Sequence, residues 1–225
     1  MSLKNRDECW IGVGDIHGQA QNISRIPGVT DARGVIMSGD MTTHGSVDDA
    51  RRVMDVLQKA NPVVLAQIGN MDSPGISGWL EEKGVNIHAE ARELAPGFGL
   101  IGVGWSAPTP FGTPCEVPDA TLGHWLNAVH ARASDWKRLL LVVHTPPYGT
   151  RVDDLGGGRH VGSPAVREFI ERVQPDACLT GHIHESRALD YVGKTPVVNP
   201  GMLAHGGYAQ IRLTADELSI ELKTL

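Results

Sequence analysis

Trp10-Ile11-Gly12-Val13-Gly14-Asp15-Ile16-His17-Gly18 is the stretch on whose reading the fold turns. Ile11 and Val13 read as alternate residues of a buried strand. Asp15 and His17 stand two apart at its end, and Gly18 lets the chain turn away. A period of two puts both side chains on one side where extended geometry persists, so a hard oxygen and an imidazole nitrogen point into the same volume.

Four later segments repeat the arrangement. Val35 to Asp40, Val63 to Asn70, Leu139 to His144 and Ala177 to His184 are short apolar runs that each end in a residue able to bind metal. In open α/β sheets, ligand sites lie beyond the carboxyl ends of the strands, where residues scattered along the sequence converge. The ends supply Asp15, His17, Asp40, Asn70, His144, His182 and His184. Seven such donors exceed what one tetrahedral metal accepts and suit two neighbouring ions.

The chain has 225 residues, 41% hydrophobic and 20% charged, which is the balance of an ordinary globular protein with a substantial core, read as one domain over 1–225. A net charge of -6 without a Lys/Arg run argues against a nucleic-acid footprint but leaves room for a small phosphate ester. Cys9, Cys115 and Cys178 show no Cys-x-x-Cys spacing, so neither a disulfide framework nor a structural zinc site is expected. Lys4, Arg6, Asp7 and Glu8 precede the first strand with no apolar signal region. No apolar stretch approaches the ~20 residues of a membrane span, so the expectation is cytoplasmic and off the membrane.

Around the strands, helical spacing predicts a helix after Ser46, with Asp49 in a capping-box position and a stripe of Val47, Ala50, Val53, Met54, Leu57 and Ala60. A second stripe runs from Leu122 through Trp125, Leu126, Val129 and Ala133 to Trp136. A third, Val166, Phe169, Ile170 and Val173, lies between Ser163-Pro164 and Pro175. Val85 to His88, Arg92 to Leu94 and Gly99 to Trp105 look like strands, and Thr145 to Gly162 reads as a long loop over the site. Past His184, short strands suit an antiparallel tail, a second sheet face to face with the first. Gly12-x-Gly14 lacks the third glycine of a dinucleotide loop, since His17 stands there.

Asp15-x-His17, Gly39-Asp40, Gly69-Asn70, the lone His144 and Gly181-His182-x-His184 resemble, in order and surroundings, the calcineurin-like metallophosphoesterases. Asn199-Pro200-Gly201 is similar to a turn of their small phosphodiesterase branch. The resemblance implies an α/β fold of two packed mixed β-sheets flanked by helices, a four-layer αββα sandwich. It also implies a dinuclear metal centre in which Asp15, His17, Asp40 and His184 hold one ion, Asp40 bridges, and Asn70, His144 and His182 hold the other. Two divalent ions about 3.5 to 4 Å apart polarise a phosphoryl group and activate a water or hydroxide, which points to hydrolysis of phosphate esters, diesters rather than monoesters. Nitrogen and oxygen donors without thiolates suit Mn, Fe, Zn or similar ions.

The chain departs from the family pattern at two positions. Where the family often has His after Gly-Asn to assist the leaving group, this chain has Met71, whose thioether holds no proton; three places after Asp40, where an acid or amide is frequent, stands Thr43. His44 and His160 are the candidates to supply the missing proton, and Arg151, Arg159 and Arg187 are available for phosphate oxygens. The rival reading is a metallophosphoesterase-fold scaffold for protein interaction with little or no catalysis.

Overall fold

The computed structural model describes residues 8–133 and 135–225; Lys4, Arg6 and Asp7, read above as a polar lead-in, lie outside them. The amino-terminal half alternates strand and helix: β1 (Glu8–Val13), β2 (Gly34–Met37), α1 (Val47–Ala60), β3 (Val64–Ala66) and α2 (Pro74–Glu82). Ser46 caps α1 as expected. Its hydroxyl accepts from the Asp49 N–H at 3.3 Å while its own N–H donates to Asp49 Oδ2 at 2.7 Å, and the stripe Ala50, Val53, Met54, Leu57 is buried. The second half contains β4 (Glu90–Ala95), β5 (Phe98–Val103), α3 (Asp119–His130), β6 (Arg138–Val143), α4 (Pro164–Val173), β7 (Ala177–Leu179), β8 (Ala188–Val192), β9 (Thr195–Asn199), β10 (Gly207–Leu213) and β11 (Leu218–Thr224).

These strands make two mixed sheets, ordered β11-β10-β1-β2-β3 and β4-β5-β6-β7-β9-β8. In the first sheet β1, β2 and β3 run parallel and β10 and β11 add antiparallel on the other side of β1; in the second the central strands β5, β6, β7 and β9 run parallel and the edge strands β4 and β8 are antiparallel. Alternation along single strands builds the layers. In β6, Leu140 and Val142 join Trp10, Ile36, Ile211 and Ile220 of the other sheet in the core between the sheets. Leu141 and Val143 pack outward with Leu122 and Leu126 of α3 and Phe169 and Ile170 of α4. On the other outer face, Ile11, Val13 and Met37 meet Leu57 of α1 and Leu80 of α2. Gly12 serves this packing, for a Cβ there would sit 3.0 Å from Leu179 of the facing sheet.

Two expectations are corrected. The tail strands form no sheet of their own: β8 and β9 complete the second sheet, while β10 inserts beside β1 and carries β11 to the edge of the first. Val85 to His88 forms no regular strand, because it crosses between the sheets. Ile87 N–H bonds Ala66 O of the first sheet and Ala89 N–H bonds Gly102 O of the second, so neither offers it a continuous ladder. Among the described residues no helix is long and apolar enough to cross a membrane.

Candidate metal centre

The five metal-capable ends belong to both sheets, β1, β2 and β3 of one and β6 and β7 of the other, and meet where the two sets of carboxyl ends adjoin. Extended geometry does not persist to the ligands. β1 stops at Val13, and Asp15, His17, Asp40 and His182 take left-handed φ of 49°, 47°, 52° and 71°. Non-glycine residues avoid this region, and four at one place mark a backbone held against its preference by its surroundings. The holding contacts are visible: Asp15 N–H donates to Gly39 O at 3.1 Å, and the N–H groups of Ile16 and His17 share Asp40 O at 2.9 and 3.0 Å. The period-two reading therefore placed Asp15 and His17 on one side for a reason the backbone does not use; locked left-handed turns bring them together.

Asp15, His17, Asp40 and His184 offer ligand atoms that all lie within 4.8 Å of one another, a group that could hold a metal ion. His17 Nε2 and His184 Nε2 are 3.0 Å apart, and the Thr43 hydroxyl lies 2.9 Å from His17 Nδ1. With Thr43 accepting the Nδ1 proton, the Nε2 lone pair of His17 is aimed into the cluster. Beside it, Asn70 Oδ1 lies 3.0 Å from His144 Nε2 and 2.7 Å from His182 Nδ1. Asp40 Oδ2 joins the two groups, 3.7 Å from His17 Nε2 and 3.5 Å from His144 Nε2. All seven predicted donors are thus assembled. The glycines preceding them do more than turn: a Cβ at Gly39 would overlap His144 Nδ1, and one at Gly69 would overlap Asp40 Oδ1.

The electrostatics call for a cation. Asp15, Asp40 and Asp72 are buried, and among the described residues no Lys or Arg bonds any of them. Buried carboxylates without counter-charge are costly, so imidazoles carry the compensation. Burial would raise the Asp40 carboxyl, but His144 and His17 override it and hold it low. Burial would lower His144, but Asp40, Asp15 and Asp72 pull it up. Burial, helped by His144, drops His182 to about 4, leaving it neutral with a free lone pair at neutral pH. His144 Nδ1 is buried without a hydrogen-bond partner. Carboxylate, carboxamide and imidazole donors with no Lys or Arg bonded to the carboxylates fit divalent cations such as Mn, Fe or Zn, whose binding would release the protons that the imidazoles carry.

Three supports lie outside the ligand set that the sequence pattern marks. Asp72 accepts four hydrogen bonds, from Met41 N–H, Thr42 N–H, the Thr42 hydroxyl and Gly69 N–H, and so clamps the Asp40 and Asn70 loops together. Asn70 Nδ2 donates to Thr113 Oγ1 at 2.8 Å, and that hydroxyl donates to Glu116 at 2.6 Å, which turns the Asn70 oxygen toward the histidines. Buried Asn199 donates to Ile183 O at 2.8 Å and accepts from Gly201 N–H at 2.9 Å, steadying the segment between His182 and His184.

Above the cluster opens a cavity of about 1220 Å³. Met71, Pro108, Phe111, Leu155, Val161 and Met202 give it apolar walls, and His44 and Arg159 also line it. His44 N–H donates to Met71 O at 2.8 Å, which puts the two residues side by side at the cavity. His160 is not among the lining residues; its Nδ1 lies 2.9 Å from Asp153 Oδ1 within the 145–162 loop. Of the three arginines only Arg159 lines the cavity, and Arg187 instead donates to Lys223 O at 2.8 Å.

Comparison with known proteins agrees with this architecture. Residues 117–224 match the family model described as Metallophosphoesterase, calcineurin superfamily. The chain is similar to the uncharacterized protein MJ1162 of Methanocaldococcus jannaschii, 31% identical over 202 residues covering 84% of this chain and 86% of the relative. It is also similar to a UPF0046 protein of Caenorhabditis elegans, 25% identical over 219 residues covering 89% of this chain and 71% of the relative. Among solved structures, TT1561 of Thermus thermophilus superposes with a TM-score of 0.74 at 18% identity, covering 97% of this chain and 99% of that one, which is a likeness of fold.

Proposed function

This chain belongs to the calcineurin-like metallophosphoesterase superfamily, and on that footing we propose that it is a metal-dependent phosphoesterase that cleaves phosphodiesters. The observation that carries the reading is Asp40 Oδ2, one buried carboxylate oxygen set between His17 of one donor group and His144 of the other. In this reading Asp15, His17, Asp40 and His184 would hold one divalent ion, and Asp40, Asn70, His144 and His182 a second. Such a pair would supply Lewis-acid polarisation of a phosphoryl group and a water ionised near neutral pH.

The chain's own residues do the remaining work. Met71 N–H holds Asp40 Oδ1 at 2.8 Å, which leaves Oδ2 for the shared position. Asp72 fixes the spacing of the two loops, and Thr113 fixes the Asn70 amide. His44, beside Met71, gives its proton to the departing alkoxide in place of the absent family histidine. A cavity of about 1220 Å³ exceeds what a small phosphate monoester fills and admits a second ester arm, which favours diesters.

The deciding experiment is metal analysis of purified protein, followed by turnover of bis-p-nitrophenyl phosphate and p-nitrophenyl phosphate with Mn, Fe or Zn added. Two ions per chain and faster turnover of the diester are expected. Bound metal with no turnover of any ester would instead favour the scaffold reading.

Thr113→Val should weaken binding of the second ion about 10-fold while leaving the first near its original affinity, because the Asn70 amide loses the acceptor that orients it. Thr113→Ser should restore it. Titration calorimetry with Mn or Zn reads both affinities; equal loss at both ions would mean the hydroxyl serves only general stability.

A further inference from the structure

The wall of the cavity, rather than its floor, says what the ester carries. Phe111 is 84% exposed, the most exposed of the large hydrophobic side chains among the described residues, yet it lines the cavity beside the cluster, and Val161, also exposed, lines it too. An aromatic ring left in water forgoes roughly 25 cal/mol for each Å² of apolar surface, a cost that a ligand covering the ring removes. The loop that carries the ring is also held in place. It is closed by paired hydrogen bonds between Ser106 and its partners, Ser106 N–H to Cys115 O at 3.1 Å and Val117 N–H to Ser106 O at 2.9 Å. The same loop is tied to Asn70 through Thr113 and to Glu116 through the Thr109 and Thr113 hydroxyls, each at 2.6 Å. The cavity therefore presents an apolar wall carried on an anchored loop, with Phe111 joined by Pro108, Pro110, Leu155, Val161 and Met202.

Charge limits the other end of the ligand. Among the described residues Arg159 is the only Lys or Arg lining the cavity, and its guanidinium makes no hydrogen bond or ion pair with any of them. Outside the seven donors the lining also carries one carboxylate, Glu185, which disfavours a polyanion. One free guanidinium matches one phosphoryl oxygen.

We propose, resting on the phosphodiesterase reading, that the substrate is a monoanionic phosphodiester whose retained alcohol arm is a long apolar group packed on Phe111, with Arg159 taking a non-bridging phosphoryl oxygen. Phe111 is then the specificity-determining residue for the arm, and Arg159 acts on every ester alike.

The test is a series of alkyl p-nitrophenyl phosphates, methyl, butyl and octyl, beside thymidine 5′-p-nitrophenyl phosphate, all releasing the same p-nitrophenolate. With metal-loaded protein, kcat/KM should rise about 2-fold or more per added methylene, within the ceiling of about 4-fold for full burial, and the octyl ester should exceed the thymidine ester. Phe111→Ala should flatten the dependence on chain length, whereas Arg159→Ala should lower every member by about 10-fold and leave the slope intact. Calorimetry reads the same contact without turnover: methyl(octyl)phosphinate, an anion with no ester bond, should bind more tightly than dimethylphosphinate, and Phe111→Ala should abolish the difference. A flat series, a slope that survives Phe111→Ala, or preference for the thymidine ester overturns the apolar arm while leaving the phosphodiesterase intact. Absence of turnover on every ester overturns the phosphodiesterase itself.

Discussion

Asp40→Asn is expected to lower kcat/KM on bis-p-nitrophenyl phosphate by on the order of 10² to 10³-fold and to leave fewer than two ions bound per chain, because removing one partner from a buried charged group costs about 3 to 5 kcal/mol. The change is nearly isosteric, so the loss reports charge rather than volume. Asp40 Oδ1 already accepts from Met71 N–H at 2.8 Å, and Oδ2 stands between His17 and His144. An amide in the same place fails in either orientation: with its nitrogen toward Met71 it sets donor against donor, and with its nitrogen toward the histidines it places N–H groups where two cations need an anion. Metal content by atomic emission, measured beside turnover, separates the two consequences. Two ions retained with turnover intact would show that Asp40 is not the shared ligand. His17→Ala, which removes a nitrogen from one side only, should weaken chiefly the ion bound with Asp15 and His184.

Much of this site was legible because each donor follows a short apolar run directly, and such runs carry their own structural signal. Gly39-Asp40 and Gly69-Asn70 could be placed at the ends of β2 and β3 without knowing which sheet each strand joined. What the pattern could not carry was long-range pairing: nothing in Tyr208 to Leu213 says that it lies beside β1 rather than beside β9. The left-handed backbone at Asp15, His17 and Asp40 was hidden for a related reason, since hydrogen bonds between loops distant in sequence impose it. Thr113 and Glu116 sit in the proline-rich 108–118 connection, where no periodicity exists to read, and their value lies only in reaching Asn70. Asp72 belongs to no periodic pattern and ends no apolar run, although its four bonds make it the clamp of both loops.

His44→Ala should separate two classes of substrate. An alkoxide is a poor leaving group until protonated, while a phenolate leaves readily because its conjugate acid has a pKa near 10. Met71 offers no proton, and of the two candidate donors the structure brings His44, and not His160, to the cavity. The variant should therefore slow dialkyl esters by about 10² to 10⁴-fold, the span of general acid catalysis, and leave p-nitrophenyl esters within a few-fold of the parent. His160→Ala, with its imidazole beside Asp153, should change neither class selectively. Because His44 N–H bonds Met71 O at 2.8 Å, the two side chains leave neighbouring backbone, and Met71→His added to His44→Ala should recover part of the alkyl rate. Metal content must stay at the parent level in each variant, which atomic emission verifies. Equal slowing of alkyl and aryl esters would make His44 a positioning residue rather than the acid, and an unchanged alkyl rate would assign the proton to solvent.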